Sequence, residues 1–406
     1  MNKNIVFAKL NKQIEAAMCV KGLEQESLKV ADFVAHHGER FHYDAKGNRY
    51  FINSFYPSFP STAWTRFIAG GKKMVMENVR VPIQADIVIT GKCHCRCWHC
   101  FRIKDTREDL SFEEIKSVMD SLYELGTATI GITGGEPMLR PDIKDIANLI
   151  PEGIQGQLYT TGHNIDSDFA RFIASSNITR VIVSLDHYLP AVANNMRHYE
   201  NAFSEASQAI KCLVDEGIYT AVTVCITKAL LAEDKLKSYF DYVSSLYPDE
   251  IRIILPIPQG NLEGREVARL YSNAIRFVKD LKKLYEGDKN YPGITNFCEF
   301  ESAQYMGCSA GANYISINND GQVTPCVAVP LSFGNVKERK LKDIYTGMEK
   351  FFPKSGRICY GKVSGKVISH SNIDTSQTPL SESDSARIAS MCIRSKRRAS
   401  IFKCFE

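Results

Sequence analysis

From Gln84 onward the chain repeats one pattern six times: a strand-length apolar run, then a helix-length stretch. The runs are "QADIVIT", "ATIGIT", "GQLYTT", "TRVIVSL", "YTAVTVCIT" and "EIRIILPI", and the helical stretches fall near 111–125, 141–149, 165–175, 200–216, 231–247 and 263–285. Strands that alternate with crossover helices form a parallel sheet, and right-handed crossovers make it wind one way. Six βα units suit either a doubly wound sheet or a partial barrel. Unusual residues gather at or just after strand ends: Cys93–Cys100, Gly134–Glu136, Thr160–Gly162, Ser184–Asp186 and Pro256–Gly260. That placement favours the barrel, because α/β sites lie at the carboxyl ends of the strands. The expected fold is α/β, a partial (β/α)6 TIM-like barrel over 81–290 with extensions on both sides.

Residues 1–80 read as a separate α+β extension. One helix is expected from about Ala8 to His36, followed by a hairpin turning at Lys46-Gly47-Asn48. The third region, 291–406, opens with "ANYISINNDGQVTPCVAV", a hairpin turning at Asn319-Asp320-Gly321, followed by a helix in "KLKDIYTGMEKFF". Residues 362–388, rich in Ser, Thr, Asp and Gly, read as a mobile segment. Arg394, Lys396, Arg397 and Arg398 read as a solvated helix face.

The loop after the first strand, "GKCHCRCWHC", holds four cysteines. A chain with thirteen cysteines, no apolar run long enough to span a membrane and no signal-peptide pattern is expected in the cytoplasm. There an odd cysteine count argues for buried, metal-binding or catalytic thiols over disulfides. A net charge of +4 gives no strong sign of a nucleic-acid or membrane partner. Cys93, Cys97 and Cys100 are spaced C-x3-C-x2-C. Structural zinc prefers two C-x2-C pairs, and only Cys97–Cys100 supplies one. Soft thiolates also suit an iron–sulfur cluster, in which three protein ligands leave one iron open. Cys95 reads as a buried thiol outside the ligand set, and Cys212 and Cys225 as core thiols.

"VITGKCHCRCWHCF", together with "GITGGEPMLRPDI" after the second strand, resembles the radical S-adenosylmethionine (SAM) enzymes over about 83–285. The resemblance implies that Cys93, Cys97 and Cys100 hold a [4Fe–4S] cluster whose fourth iron binds SAM. One electron, from a donor such as a flavodoxin or ferredoxin, then cleaves SAM to methionine and a 5′-deoxyadenosyl radical that abstracts hydrogen from substrate. It implies further that Gly134 and Gly135 let the backbone approach the SAM methionine, and that Glu136 accepts from its ammonium. His99 would pack near the adenine, and Ser184 and Asp186 would face the ribose or substrate. "YTTG" at 159–162 and "LPIPQG" at 255–260 resemble the third and sixth strand edges beside SAM.

"CSAGANYISINNDGQVTPC" resembles the start of the SPASM or shorter Twitch extensions, which hold auxiliary clusters. Gly321-x4-Cys326 fits, but the dense cysteine run of a full SPASM extension does not follow. One auxiliary [4Fe–4S] cluster is expected, on Cys308 and Cys326 plus two of Cys298, Cys359, Cys392 and Cys404, with Cys359 favoured; a cap that has lost its cluster is the alternative. The expected activity is hydrogen abstraction from a peptide or a small metabolite. The competing class is a non-catalytic zinc- or iron–sulfur-binding module for RNA or protein.

Overall fold

Two sheets organise the chain. The computed structural model describes residues 7–102, 107–265, 277–280, 282, 283, 285, 291–392 and 397–406. Strands β1 (Phe7–Ala8), β2 (Phe41–Asp44) and β3 (Arg49–Phe51) form a small antiparallel sheet. The six repeats appear as β4 (Gln84–Val88), β5 (Thr129–Thr133), β6 (Gln155–Thr160), β7 (Ile178–Ser184), β8 (Tyr219–Cys225) and β9 (Glu250–Ile254). Each pairs in parallel with the next, as a barrel built of βα units requires. Helices Phe112–Glu124, Ile143–Asn148, Ser167–Ala174, Ala202–Asp215 and Glu233–Ser244 fall where the repeats put them. Ser111 and Glu114 close a capping box on the first, and Asp166 caps the third. Most of the helix expected over 263–285 lies outside the described residues.

The sheet is wider than the six repeats. β10 (Gly293–Asn296) adds in parallel to β9, and β11 (Tyr314–Ile317) adds in parallel to β4. β12 (Val323–Thr324) then pairs antiparallel with β11. The hairpin expected around Asn319–Gly321 is therefore also the join between the C-terminal region and the barrel sheet.

One face of every strand is apolar and packs under the helices, through Ile87, Ile132, Leu158, Val183, Val224 and Ile253 among others. The opposite face is polar and equally buried. Asp86, Gly131, Gln157, Arg180 and Tyr219 stand side by side in one register row. Gly131 makes room for its neighbours, since a Cβ there would lie 2.1 Å from Asp86 Oδ1. The N-terminal segment closes the end from which the strands start. Ser54 donates from its amide (2.8 Å) and hydroxyl (3.1 Å) to Glu250, and the Ser58 amide donates to Gln155 Oε1 at 2.9 Å. Phe51 packs on Tyr219, and the Arg180 guanidinium lies 5.0 Å from the Phe51 ring.

Three details differ from the sequence reading. The helix expected from Ala8 to His36 is two, Lys12–Met18 and Glu24–His36, broken where Gly22 takes φ +78° and Ser27 Oγ accepts from the Val20 amide. The expected mobile segment 362–388 carries most of helix Tyr360–Ser369 and all but the end of helix Glu382–Met391. Its small residues serve close packing: a Cβ at Gly365 would lie 2.6 Å from the Pro258 carbonyl oxygen, and Ser364 is buried. Arg394 and Lys396 lie outside the described residues, and Arg398 bonds the Met74 carbonyl at 2.6 Å instead of lining a solvated face. Ile401, Phe402, Cys404 and Phe405 share a second core with Ile14, Met18, Val30, Trp64 and Phe67. No helix of the described residues is long and apolar enough to cross a membrane.

Candidate functional site

The cysteine loop leaves β4 and is clamped by every neighbouring strand end. Asp109 accepts from Thr90 Oγ1 at 2.6 Å and from the Gly91 amide at 2.8 Å. The Gly135 amide donates to the Thr90 carbonyl (2.7 Å) and the Glu136 amide to the Lys92 carbonyl (2.8 Å). A Cβ at Gly135 would lie 2.1 Å from the Lys92 carbonyl oxygen, so the second glycine is required by this approach. On the far side, the Arg96 and Trp98 amides donate to the Arg197 and Met196 carbonyls, at 2.9 and 3.1 Å. From the sixth strand edge Asn261 reaches back, its amide to the Cys100 carbonyl and its side chain to the Cys97 carbonyl, both at 2.9 Å.

The four thiols are not equivalent. Cys95 is buried, with its sulfur within hydrogen-bond reach of both Cys93 and Cys97. Those bonds push its own proton affinity far up and lower that of Cys93. Cys97 is brought down to about 7 by the Cys95 bond, with help from the Arg197 charge. Arg197 Nη1 lies 3.7 Å from Cys97 Sγ, and Nη2 pairs with Asp186 at 2.6 Å. Burial raises Cys100, whose thiol bonds the Arg102 carbonyl at 3.2 Å. Loop thiols beside a buried cation suit a cluster that carries negative charge.

The motif residues sit around this loop in roles that differ in part from expectation. Gly134 and Gly135 lie against it. Glu136 is completely buried, and its carboxylate is filled from within. Oε1 accepts from Thr160 Oγ1 (2.7 Å) and the Met138 amide (3.1 Å), and Oε2 from the Thr161 amide and hydroxyl (both 2.7 Å). Burial raises its carboxyl above the usual range, against those bonds. Asp186 is 1% exposed and engages Arg197 and the Cys225 amide (3.1 Å), so it faces the cysteine loop through Arg197 and not an open site. Its pairing with Arg197 holds it below the usual carboxylate range despite burial. Ser184 ends β7 half-buried, in register with Thr223. His99 packs on Trp98 at 5.1 Å, and burial lowers its affinity for a proton.

Sequence reasoning missed two features here. Arg197 lies eleven residues beyond Asp186 at the end of helix Pro190–Arg197, and nothing in local spacing links it to Cys97. His94 stacks at 4.2 Å on His163, whose Nδ1 meets Glu205 at 2.9 Å, while Tyr199 donates to Glu205 at 2.6 Å. The cysteine loop, the third strand edge and helix Ala202–Asp215 thus meet at this cluster.

The C-terminal region touches the same loop. Arg102 donates to the side chains of Asn318 (2.6 Å) and Asn319 (2.9 Å), and Arg107 pairs with Asp320 at 2.8 Å. Beyond that turn, Cys326 follows β12. Cys308 bridges to Gly356, and its sulfur accepts from the Tyr360 amide at 3.3 Å and lies in hydrogen-bond reach of Cys359. Cys404 is elsewhere, in the N-terminal core with its thiol on the Lys29 carbonyl, and Cys392 ends helix Glu382–Met391.

Residues 87–231 match the radical SAM superfamily, and residues 308–358 match the iron–sulfur cluster-binding SPASM domain. An AdoMet-dependent heme synthase from Nitratidesulfovibrio vulgaris is 24% identical over 289 residues, covering 65% of this chain and 78% of the relative. The antilisterial bacteriocin subtilosin biosynthesis protein AlbA of Bacillus subtilis is 22% identical over 278 residues, covering 65% of this chain and 60% of AlbA. Among solved structures, Streptococcus suis SuiB bound to its precursor peptide SuiA has a TM-score of 0.57 at 17% identity, over 70% of this chain and 68% of that one. Native anSMEcpe with bound AdoMet and the Cp18Cys peptide has a TM-score of 0.56 at 17% identity, over 75% of this chain and 95% of that one. These likenesses bear out the barrel fold.

Proposed function

Taking the chain as a radical SAM enzyme with a SPASM extension, we propose that it modifies a peptide, through a [4Fe–4S] cluster held by Cys93, Cys97 and Cys100. The observation that carries this is the meeting of the cysteine loop with Gly134–Glu136 at adjacent strand ends, locked by bonds from Gly135 and Glu136 to Thr90 and Lys92. When bound, the cluster and SAM supply a 5′-deoxyadenosyl radical that takes hydrogen from the substrate. The chain's residues hold this chemistry in place. Arg197, fixed by Asp186, sets its charge against the Cys97 sulfur. Gly134 and Gly135 let the second strand end close onto the cysteine loop, where a Cβ would meet the Thr90 and Lys92 carbonyls, and so set the edge beside the methionine end of SAM. Glu136 acts one step back, holding Thr160 and Thr161 at the third strand edge. Ser184 ends its strand toward the ribose or substrate, and His99 packs toward the adenine.

A peptide substrate is supported by the fold shared with SuiB and anSMEcpe, whose structures carry peptides. The sequence likeness to heme synthases favours a second reading, a small metabolite. In either case a flavodoxin- or ferredoxin-type protein in the cytoplasm supplies the electron. The test is anaerobic reconstitution followed by assay of 5′-deoxyadenosine from SAM. The wild type produces it and Cys97→Ala does not; equal formation by both overturns the reading.

A further inference from the structure

Two imidazoles and a carboxylate meet from three separate segments of the chain. His94 comes from the cysteine loop, His163 from the third strand edge, and Glu205 from the first turn of helix Ala202–Asp215. One ligating atom from each lies within 4.8 Å of the other two. The backbone is shaped for this approach. Gly162, next to His163, takes φ +93°, and a Cβ there would lie 2.8 Å from Ala206 Cα and 3.1 Å from the Glu205 carbonyl oxygen. Glycine therefore lets the strand edge close on the helix at the turn that carries Glu205.

The side chains are also oriented. Tyr199 donates to Glu205 Oε1 at 2.6 Å, which leaves Oε2 to His163 Nδ1 at 2.9 Å. The His94 ring lies 4.2 Å from that of His163 and meets Tyr199 edge-on at 4.5 Å. Both ring nitrogens of His94 are shielded from water, and neither has a hydrogen-bond partner among the described residues. A buried imidazole left without a partner is costly, so this one calls for an explanation. A metal ion shared with His163 and Glu205 supplies it. In a tetrahedral site with bonds near 2.0 Å the ligand atoms stand about 3.3 Å apart, so the His163–Glu205 contact needs only a small expansion to admit an ion. Tyr199 on the outer carboxylate oxygen is the kind of bond that orients a metal-ligating carboxylate. Imidazole with carboxylate suits zinc and similar divalent ions, whereas calcium and magnesium take oxygen ligands.

We infer that His94, His163 and Glu205 form a binding site for a zinc-type divalent cation, separate from the iron–sulfur ligands. His94 also has a nitrogen within 4.8 Å of the Cys93 and Cys95 sulfurs, a second set able to hold an ion. An ion there would take Cys93 from the cluster proposed above, so the choice between the two sets rests on that reading. An ion on His94, His163 and Glu205 leaves Cys93 to the cluster. It also ties the residue after Cys93 to the third strand edge and to helix Ala202–Asp215. Three protein ligands leave a fourth position for water, and all three side chains are half-buried, within reach of ions from solvent.

The test uses the full chain after anaerobic iron–sulfur reconstitution, with Zn2+ as the probe. Equilibrium dialysis and metal analysis are expected to show one more zinc per chain in wild type than in His163→Ala or Glu205→Gln. The second variant keeps the size and hydrogen-bonding capacity of the side chain, so its loss of zinc is not a loss of fold, and circular dichroism checks both. Zinc-edge X-ray absorption should find nitrogen and oxygen neighbours at about 2.0 Å and no sulfur at about 2.3 Å. Tyr199→Phe keeps every ligand and should weaken binding about 10-fold, and Cys95→Ala should bind as wild type does. Equal zinc in wild type, His163→Ala and Glu205→Gln would overturn the assignment, as would no zinc in any of them. So would loss of zinc in Cys95→Ala or a sulfur shell around the ion, either of which puts it on the loop thiols. The same preparations are assayed for 5′-deoxyadenosine from SAM. Failure of the cluster reading shows there as absent turnover, and failure of this site shows in the zinc measurements.

Discussion

Arg197 joins Asp186 to Cys97: one guanidinium nitrogen lies 2.6 Å from the Asp186 carboxylate and another 3.7 Å from the Cys97 sulfur. The two charged groups are held away from water, Arg197 5% and Asp186 1% exposed, and Cys97 is half-buried beside them. Removing one member of a buried pair leaves the other charge without compensation, at a cost of about 3–5 kcal/mol. Arg197→Met is therefore expected to lower unfolding stability by about that much and to weaken iron retention at the cysteine loop. The pair Asp186→Asn/Arg197→Met should cost less than the sum of the single changes. Chemical denaturation of the four proteins in a double-mutant cycle checks this; additive losses would mean that the pair is not coupled.

Gly135→Ala tests the close approach of the second strand end to the cysteine loop. The new methyl would meet the Lys92 carbonyl at 2.1 Å and Cys93 Cβ at 3.0 Å, both on the loop itself. Overpacking of this kind costs about 1–3 kcal/mol, and here the strain falls on the residues that position a thiol. The expected outcome is a folded protein that reconstitutes with less iron and forms 5′-deoxyadenosine at a reduced rate. Circular dichroism checks folding and iron analysis checks loading; normal loading with normal turnover would show that the loop absorbs the methyl.

Asp86 makes a prediction about pH. It is 5% exposed, accepts from the Tyr314 hydroxyl at 2.6 Å, and burial raises its carboxyl above the usual range. A raised value means that the folded chain holds this proton more tightly than the unfolded chain does. The contribution to stability is then complete below the unfolded pKa and is lost as pH rises through the folded pKa. Asp86→Asn removes that dependence. Its stability relative to wild type should be lowest in acid and improve toward neutral pH, ending within about 1 kcal/mol of wild type or above it. Urea denaturation at a series of pH values measures the difference, and a constant offset would contradict the sign argued here.

The parts of this molecule that could be read from sequence are those written in local pattern. Six strand-and-helix repeats and the spacing of Cys93, Cys97 and Cys100 need only neighbours along the chain. Arg197 escapes local pattern because its partners, Asp186 and Cys97, lie in other segments. The helix Tyr360–Ser369 is hidden in the sequence because its Gly and Ser residues look like a linker, whereas they permit close packing against the sixth strand edge. The polar barrel face is written in the strands as well. "QAD", "GQLY", "TRV" and "EIR" each carry polar residues on the face opposite the apolar one, at Gln84 and Asp86, Gln157 and Tyr159, Arg180, and Glu250 and Arg252.

That polar face makes the last prediction. At the end of the sheet from which the strands start, Arg180 is fully buried, and its guanidinium nitrogens have no hydrogen-bond partner among the described residues. Two aromatic rings lie beside it instead, Phe51 at 5.0 Å and Tyr219 at 5.4 Å. Phe51 comes from the N-terminal hairpin, so the extension supplies part of what makes this buried cation tolerable. Phe51→Ala removes both the ring face and the apolar plug, and it is expected to cost about 3–5 kcal/mol. Phe51→Leu restores apolar volume without the π face and should recover only part of that loss. Replacing Arg180 with Met removes the cation, and Phe51→Leu in that background should cost less than it does in wild type. Thermal or urea unfolding of these variants decides the point: an equal cost of Phe51→Leu in both backgrounds would reduce the role of Phe51 to filling space.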